Sequence, residues 1–450
     1  MNNSVPEDDD ATMRAIKSTL ASLGDDDPRD ARSSPDRQKP APRLRVVTPA
    51  SETAPTESAT SAEAAVTTIL TTDDTPVEKP RRKRKTVKEG PPLRDVLAAA
   101  WARWHPLRPF LIATLGPVPF LLLAAGLGGI WSLLALLAMT AIVHGIDEFA
   151  ARRGIEASDG APAEMADRLS VVLAGLHFAL LIVAVWSLSG AAGLGFFSWL
   201  ATFLAFGLWF GQVSNSNAHE LIHRTDKRLF RTGMWVYISL LFGHHTSAHR
   251  LVHHRFVATL DDPNTAVEGE SFYLFAARAW PGAFVAGYEM EENLREARGS
   301  SGLRNLNPYT IYLAGAALCA GLVIILFGFS GLIAYLLLCA YAQVQLLLSD
   351  YVQHYGLQRR NLPSGNPEPA GPQHSWDAPH PASGFMMLNA PRHADHHAHP
   401  TRRYPELKVS PGGRAPLLPY SLPVMATIAL VPSAWHRIMD RRLKTLKQLA

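Results

Sequence analysis

The sequence predicts an all-α integral membrane protein: six transmembrane helices in three hairpins, with a histidine-rich metal-binding cap on the cytoplasmic side. Three observations predict it. No Asp, Glu, Lys or Arg occurs within 109–146, 169–219 or 305–349, runs of 38, 51 and 45 residues, and one membrane helix needs about 20. The expected hairpin tips, near Gly128, Gly190 and Ser330, carry no charge, so every Lys and Arg lies on the other side, which the positive-inside rule makes cytoplasmic. Nine of the 18 histidines fall into four tight groups at the ends of long apolar runs.

Taken in chain order, residues 1–92 are rich in Asp, Ser, Thr, Pro, Ala and Arg with little apolar periodicity, the composition of a disordered cytoplasmic tail. They contain no signal-peptide core. The basic run at 81–85 either binds anionic lipid or merely fixes topology. Residues 93–450 form the membrane domain, opening with an amphipathic surface stretch at 93–104. The expected spans are 109–127, 130–146, 169–188, 193–214, 309–328 and 331–349. The apolar segment 234–243 is too short to cross and reads as interfacial or re-entrant. A seventh span there would put the histidine groups on opposite sides of the bilayer. Cys319 and Cys339 fall inside spans and read as packing residues. No C-x-x-C is present, and no basic face suits nucleic acid.

The four groups are HELIHR (His219, His223), HRLVHH (His249, His253, His254), DYVQHYGL (His354) and RHADHH (His393, His396, His397). Neutral imidazole is the commonest protein metal ligand, and nine are too many for one ion. Residues four apart share a helix face, so each H-x-x-x-H is expected to grip one ion. The adjacent HH pairs suit two neighbouring ions, because consecutive side chains diverge. HELIHR alone is the H-E-x-x-H of zinc peptidases, with Glu as general base, but a three-ligand zinc site has no use for seven more clustered histidines. Glu220, Asp262, Asp350 and Asp395 stand beside the ligands and are expected to orient them through hydrogen bonds, as carboxylates commonly do. His144 and His177 read as bonded within the bundle. His244 or His245, and His374, His380 and His399, read as further partners of the ligands, and His105 and His436 as interface or surface residues.

The set HELIHR, HRLVHHRFVAT-x-x-DP, DYVQHYGL and RHADHHAHPTRRYPEL resembles the bacterial membrane-bound alkane monooxygenases. These belong to the histidine-rich di-iron group that includes fatty-acid desaturases and xylene monooxygenases. The resemblance covers residues 100–440, and its most diagnostic pieces are QHYGL and HHAHPTRRY. It implies that the nine histidines bind two iron ions and that Asp262 is an acidic residue near the site. It also implies O2-dependent conversion of medium- or long-chain alkanes to primary alcohols. Electrons would come from NADH through a rubredoxin reductase and a rubredoxin docking on the cytoplasmic face of the bacterial inner membrane. Met139 aligns with a position whose bulk limits chain length. Two departures bear on substrate: Ala248 replaces a usual Glu, and Asp350-Tyr351-Val352-Gln353 replaces an Asn-Tyr-x-Glu pattern.

From the residues alone, imidazoles suit iron, copper, nickel or zinc, so iron rests on the likeness. An acyl-chain desaturase or hydroxylase, or a methyl-aromatic monooxygenase, would use the same centre. A metal transporter or sensor is the rival from another class, and ligands gathered on one side of the membrane argue against a conduit.

Overall fold

The computed structural model describes residues 107–153, 163–299, 306–410 and 413–449. The tail at 1–92, its basic run, the stretch at 93–104 and His105 lie outside the described residues. Among the described residues the regular elements are helices, with two isolated β-bridges between loop segments.

Five described helices are long and apolar enough to cross a membrane: α1 (Arg108–Leu127), α2 (Ile130–Arg153), α3 (Met165–Ala191), α4 (Phe196–Ile222) and the 46-residue Tyr309–His354. The last is broken at Gly328, whose φ of 66° and ψ of −164° suit only a residue without Cβ. Tyr312 Oη lies 2.8 Å from Ser247 Oγ, and Tyr335 Oη donates to Ser239 O at 2.6 Å. Twenty-three residues of straight helix would separate those tyrosines by about 35 Å. The two arms therefore fold back beside each other, with the bend at Gly328 and not at Ser330.

The helices outrun the charge-free runs. The final arm continues past 349 to His354, so this histidine ends the helix and does not follow it. Asp350 is accommodated because its carboxylate accepts from Asn264 Nδ2 at 2.6 Å inside the protein. Likewise α4 passes 214 and reaches Ile222 through a π-helical turn at Phe210–Ser214. Small residues let the helices approach closely: a Cβ on Gly207 would strike the Tyr341 ring, and one on Gly211 the Gln345 amide. Leu121, Ala135, Leu173, Ala184, Phe206, Trp209, Tyr335 and Leu338 pack in the main core. Ile112, Phe197, Ile325 and Phe329 are exposed around it, the distribution expected of a lipid-facing surface.

The segment at 234–243 belongs to a longer helix, α5 (Lys227–Ser239), capped by the Asp226 carboxylate on Arg228 N and Leu229 N. Thirteen residues span about 20 Å, too little to cross. This helix is buried: Tyr237 and Ile238 are inaccessible, and Gly233 packs tightly on Leu221 and Ala218 of α4. At its end Leu241, with φ of 56°, reverses the chain. The chain turns back here, and the returning segment carries His245 to His254. The Tyr309–His354 pair of arms is α7; helices that charge-free patterning does not single out are α6 (Phe272–Ala297), α8 (Pro381–Met386), α9 (His393–Ala398), α10 (Leu422–Ala429) and α11 (Pro432–Leu449).

His177, on α3, holds the turn at the end of α5. Its Nδ1 lies 2.9 Å from Ser214 Oγ and its Nε2 2.8 Å from Ser239 Oγ, the bonding within the bundle expected of it. His177→Leu strips both hydroxyls of this partner and is expected to cost about 1–3 kcal/mol. Thermal unfolding in detergent should show a lowered midpoint, and an unchanged one would remove His177 from the tie.

Candidate metal centre

Four elements deliver the nine histidines to one end of the bundle, opposite the turns at Gly128, Gly190 and Gly328. The end of α4 supplies His219 and His223. A π-helical turn, Ala248–His253, and the residue after it supply His249, His253 and His254. The end of α7 supplies His354, and α9 supplies His393, His396 and His397. Their ring nitrogens form two groups, His219, His223, His249, His254 and His396, and His253, His354, His393 and His397, with the atoms of each group within 4.8 Å of one another.

Each adjacent HH pair splits between the groups, because neighbouring side chains diverge. His219 and His223 share a group, as do His393 and His397. The pair His249 and His253 does not, contrary to the expectation that every H-x-x-x-H serves one ion. The reason is local: π-helical bonding joins i to i+5, which aligns His249 with His254 and turns His253 away.

The contacts have the chemistry of a ligand set. Nε2 of His249 lies 2.8 Å from that of His219 and 3.0 Å from that of His254, which is 3.1 Å from that of His396. In the second group His393 Nε2 lies 3.0 Å from His354 Nε2 and 3.1 Å from His397 Nε2. Roughly 3 Å is the spacing of neighbouring nitrogens around an ion bound at about 2.1 Å. His354 Nδ1 donates to the His374 carbonyl at 3.1 Å, leaving a lone pair on the converging Nε2. Nε2 of His223 and of His253 are buried with no hydrogen-bond partner among the described residues. Burial, reinforced by neighbouring imidazoles, holds His249, His254, His393, His396 and His397 well below the usual histidine range, in the neutral form that binds metal. The residues present fit a metal centre.

Of the four carboxylates, only Asp262 meets a clustered histidine. Its Oδ2 lies 2.8 Å from His253 Nδ1 and accepts from Thr265 Oγ1 at 2.7 Å, while Oδ1 accepts from Asn264 N at 3.0 Å. Burial pulls the His253 pKa down, but the Asp262 charge and hydrogen bond outweigh it and the net shift is upward. The other three do not orient ligands as expected. Glu220 pairs with Arg224 at 3.0 Å and accepts from Tyr404 N, while Arg224 also donates to Thr401 O and Arg402 O. This clamp joins HELIHR to PTRRY and leaves no free base for a peptidase. Asp350 is held by Asn264, and Asp395 by His399, Arg402 and Lys408 N. Ion pairing with nearby arginines outcompetes imidazole for Glu220 and Asp395.

The structure adds two supports that spacing does not reveal. Asp377, buried, accepts from Ala394 N at 2.9 Å and so fixes the start of α9. Burial raises its carboxyl to about 6. The same segment supplies the His374 carbonyl and bonds Trp376 N to Gln353 O at 2.8 Å, linking His354 to the last histidine group. An Asp between Trp376 and Ala378, three residues after His374, was the only signal. Among the remaining histidines, His245 lies 5.0 Å from the His249 ring, and His244 packs with Trp280 and Phe284. Burial lowers His380, which meets no clustered histidine. His436 bonds Tyr355 Oη at 2.9 Å. Both cysteines carry free thiols. Ala248 is packed against Gly287.

Beside the histidines runs a cavity of about 400 Å³, mostly apolar, lined by Met139, Leu208, Gln212, Tyr341, Leu348 and Leu422 among others. A narrower pocket of about 40 Å³ touches His219, His249 and His393. Gly211, Gln345, Ser349 and Met387 line both, so the two are adjacent and share a wall.

A fatty acid desaturase family model matches residues 197–409, a stretch that contains all nine histidines. The chain is 36% identical over 281 residues to alkane 1-monooxygenase 1 of Alcanivorax borkumensis, covering 61% of this chain and 67% of that one. It is 34% identical over 278 residues to the alkane 1-monooxygenase of Ectopseudomonas oleovorans, covering 61% and 68%. With that of Pseudomonas putida it shares 33% over 275 residues, covering 61% and 67%. With its membrane-spanning helices, its two histidine groups and these relatives, the chain belongs to the alkane 1-monooxygenase family and is an oxygen-dependent membrane monooxygenase.

Proposed function

We propose that this protein hydroxylates the terminal methyl of medium- or long-chain alkanes to give primary alcohols. The observation that carries the reading is an apolar cavity that shares a wall with a pocket touching both histidine groups. Two iron ions are assigned: one to His219, His223, His249, His254 and His396, the other to His253, His354, His393 and His397. When bound, the iron pair activates O2 and supplies one of its oxygen atoms to the substrate. The protein's own part is positional. Asp262 fixes the His253 ring, the His374 carbonyl fixes His354, and Asp377 fixes the helix bearing the last three. The buried imidazoles of His249, His254, His393, His396 and His397 stay neutral, ready to bind without losing a proton.

A terminal methyl offers no polar handle, so recognition rests on shape and burial, with each CH2 contributing about 0.8 kcal/mol. The cavity walls exclude water and lead the chain end-on to the histidines. Met139, buried at 2% exposure, forms part of that wall and is assigned the limit on chain length.

Counted as separate spans, the two arms of α7 bring the total to six, with all four histidine groups on one side. Arg224, Arg278, Arg359, Arg402 and Arg403 lie at that end, which supports a cytoplasmic orientation in the bacterial inner membrane. Electrons are assigned to a rubredoxin docking there and to its NADH-linked reductase. Residues 93–450 form the catalytic domain, and 1–92 are an appended cytoplasmic tail.

Three measurements test the reading. Purified protein is expected to hold about two irons per chain and to give 1-alkanols from an alkane and fatty-acid mixture by gas chromatography, whereas alkenes or mid-chain alcohols would exclude it. His354→Ala is expected to lose one iron and all activity, and Asp262→Asn to weaken one iron by about 10- to 100-fold. Full iron content in both variants would remove these residues from the site. Met139→Ala is expected to lengthen the longest chain accepted, and an unchanged product profile would free Met139 of that role.

A further inference from the structure

The cavity wall contains a buried amide with an unsatisfied oxygen and no evident structural task. Gln212 sits on α4, seven residues before His219 and so about 10 Å from it along the helix axis. It is only 7% exposed yet lines the cavity. Its Oε1 is buried with no hydrogen-bond partner among the described residues. Of the other polar side chains around the cavity, which include His144, Tyr341 and Ser421, four are engaged within the protein. Thr140 Oγ1 donates to Leu136 O at 2.7 Å and Gln345 Nε2 to Gly207 O at 2.8 Å. Ser349 Oγ donates to Gln353 Oε1 at 2.9 Å and Thr427 Oγ1 to Pro423 O at 2.9 Å. Each of these polar groups is satisfied before any ligand arrives.

A wall meant for hydrocarbon alone is better made of Leu or Met, since an unpaired amide in apolar surroundings is unfavourable. Polar side chains inside membrane helices mark function by default. An amide offers N–H donors and a carbonyl acceptor, and half a turn of the group exchanges which one faces the cavity. It carries no charge and is a poor partner for an ion, so the matching ligand is a neutral oxygen.

We propose that Gln212 is a specificity-determining residue that makes the cavity favour aliphatic chains bearing one oxygen acceptor over pure hydrocarbons of equal length. The oxygen, of ether, ester or ketone type, accepts from the Gln212 amide N–H about 10 Å from the methyl held at the histidines. The inference rests on the reading of this cavity as the substrate channel.

Dioctyl ether and n-heptadecane are chains of equal length in which one oxygen replaces one methylene, and they test the point directly. Binding of each to the detergent-purified, metal-loaded protein is measured by competition, alongside terminal hydroxylation in membranes. Gln212→Leu and Gln212→Met are expected to lower the ether-to-alkane affinity ratio by about tenfold, the ordinary worth of one hydrogen bond, while n-heptadecane binds as well or better. Equal ratios in wild type and variants would overturn the proposal, as would a parallel loss of both ligands in both variants. Retained ether preference without terminal oxidation would strike the proposed reaction and leave the role of Gln212 standing. Normal oxidation without that preference would do the reverse.

Discussion

The fold is organised around bringing neutral imidazole lone pairs to within about 3 Å of one another inside a buried space. Such nitrogens repel unless a cation lies between them, so their convergence has to be enforced by the surrounding backbone. The enforcing contacts are specific. Asp262 seizes His253, the His374 carbonyl seizes His354, and Asp377 caps the helix that carries three rings. A clamp from Glu220 and Arg224 to the 401–404 backbone then fastens the first histidine pair to the last.

These clamps work because the bundle beneath them is rigid. Glycines 207 and 211 bring α4 against the final arm of α7, and His177 pins α5 between two serines. The segment at 234–243 packs against α4 and reverses at Leu241, and the chain that follows brings the middle histidines to the others. The same close helix packing leaves two adjacent openings along α4, one with Met139 in its wall and the other reaching the histidines.

Two kinds of departure from linear patterning carry chemistry. A π-helical turn re-pairs His249 with His254, and another at Phe210–Ser214 lies in the α4 wall where Gly211 and Gln212 face the cavity. Neither turn has a distinctive residue pattern, because both arise where neighbouring helices compete for the same backbone. Charged residues also mislead when read one at a time. Asp350 is where charge-free patterning ends the last span, yet the helix runs on because Asn264 meets that carboxylate from 86 residues away.

The sequence by itself determined the all-helical membrane class, the turning points near Gly128 and Gly190, the third to within two residues, the nine histidines and the family. Apolar run length and residue identity set these, and both are local properties of the chain. Tertiary structure alone decided which histidine shares an ion site with which, and that Asp262 orients a ring while Glu220 and Asp395 serve arginines. It also decided that the chain turns back within 234–243, and that Gln212 faces a cavity without a partner. Those outcomes depend on which distant groups reach the same point in space, and no spacing along the chain encodes that competition.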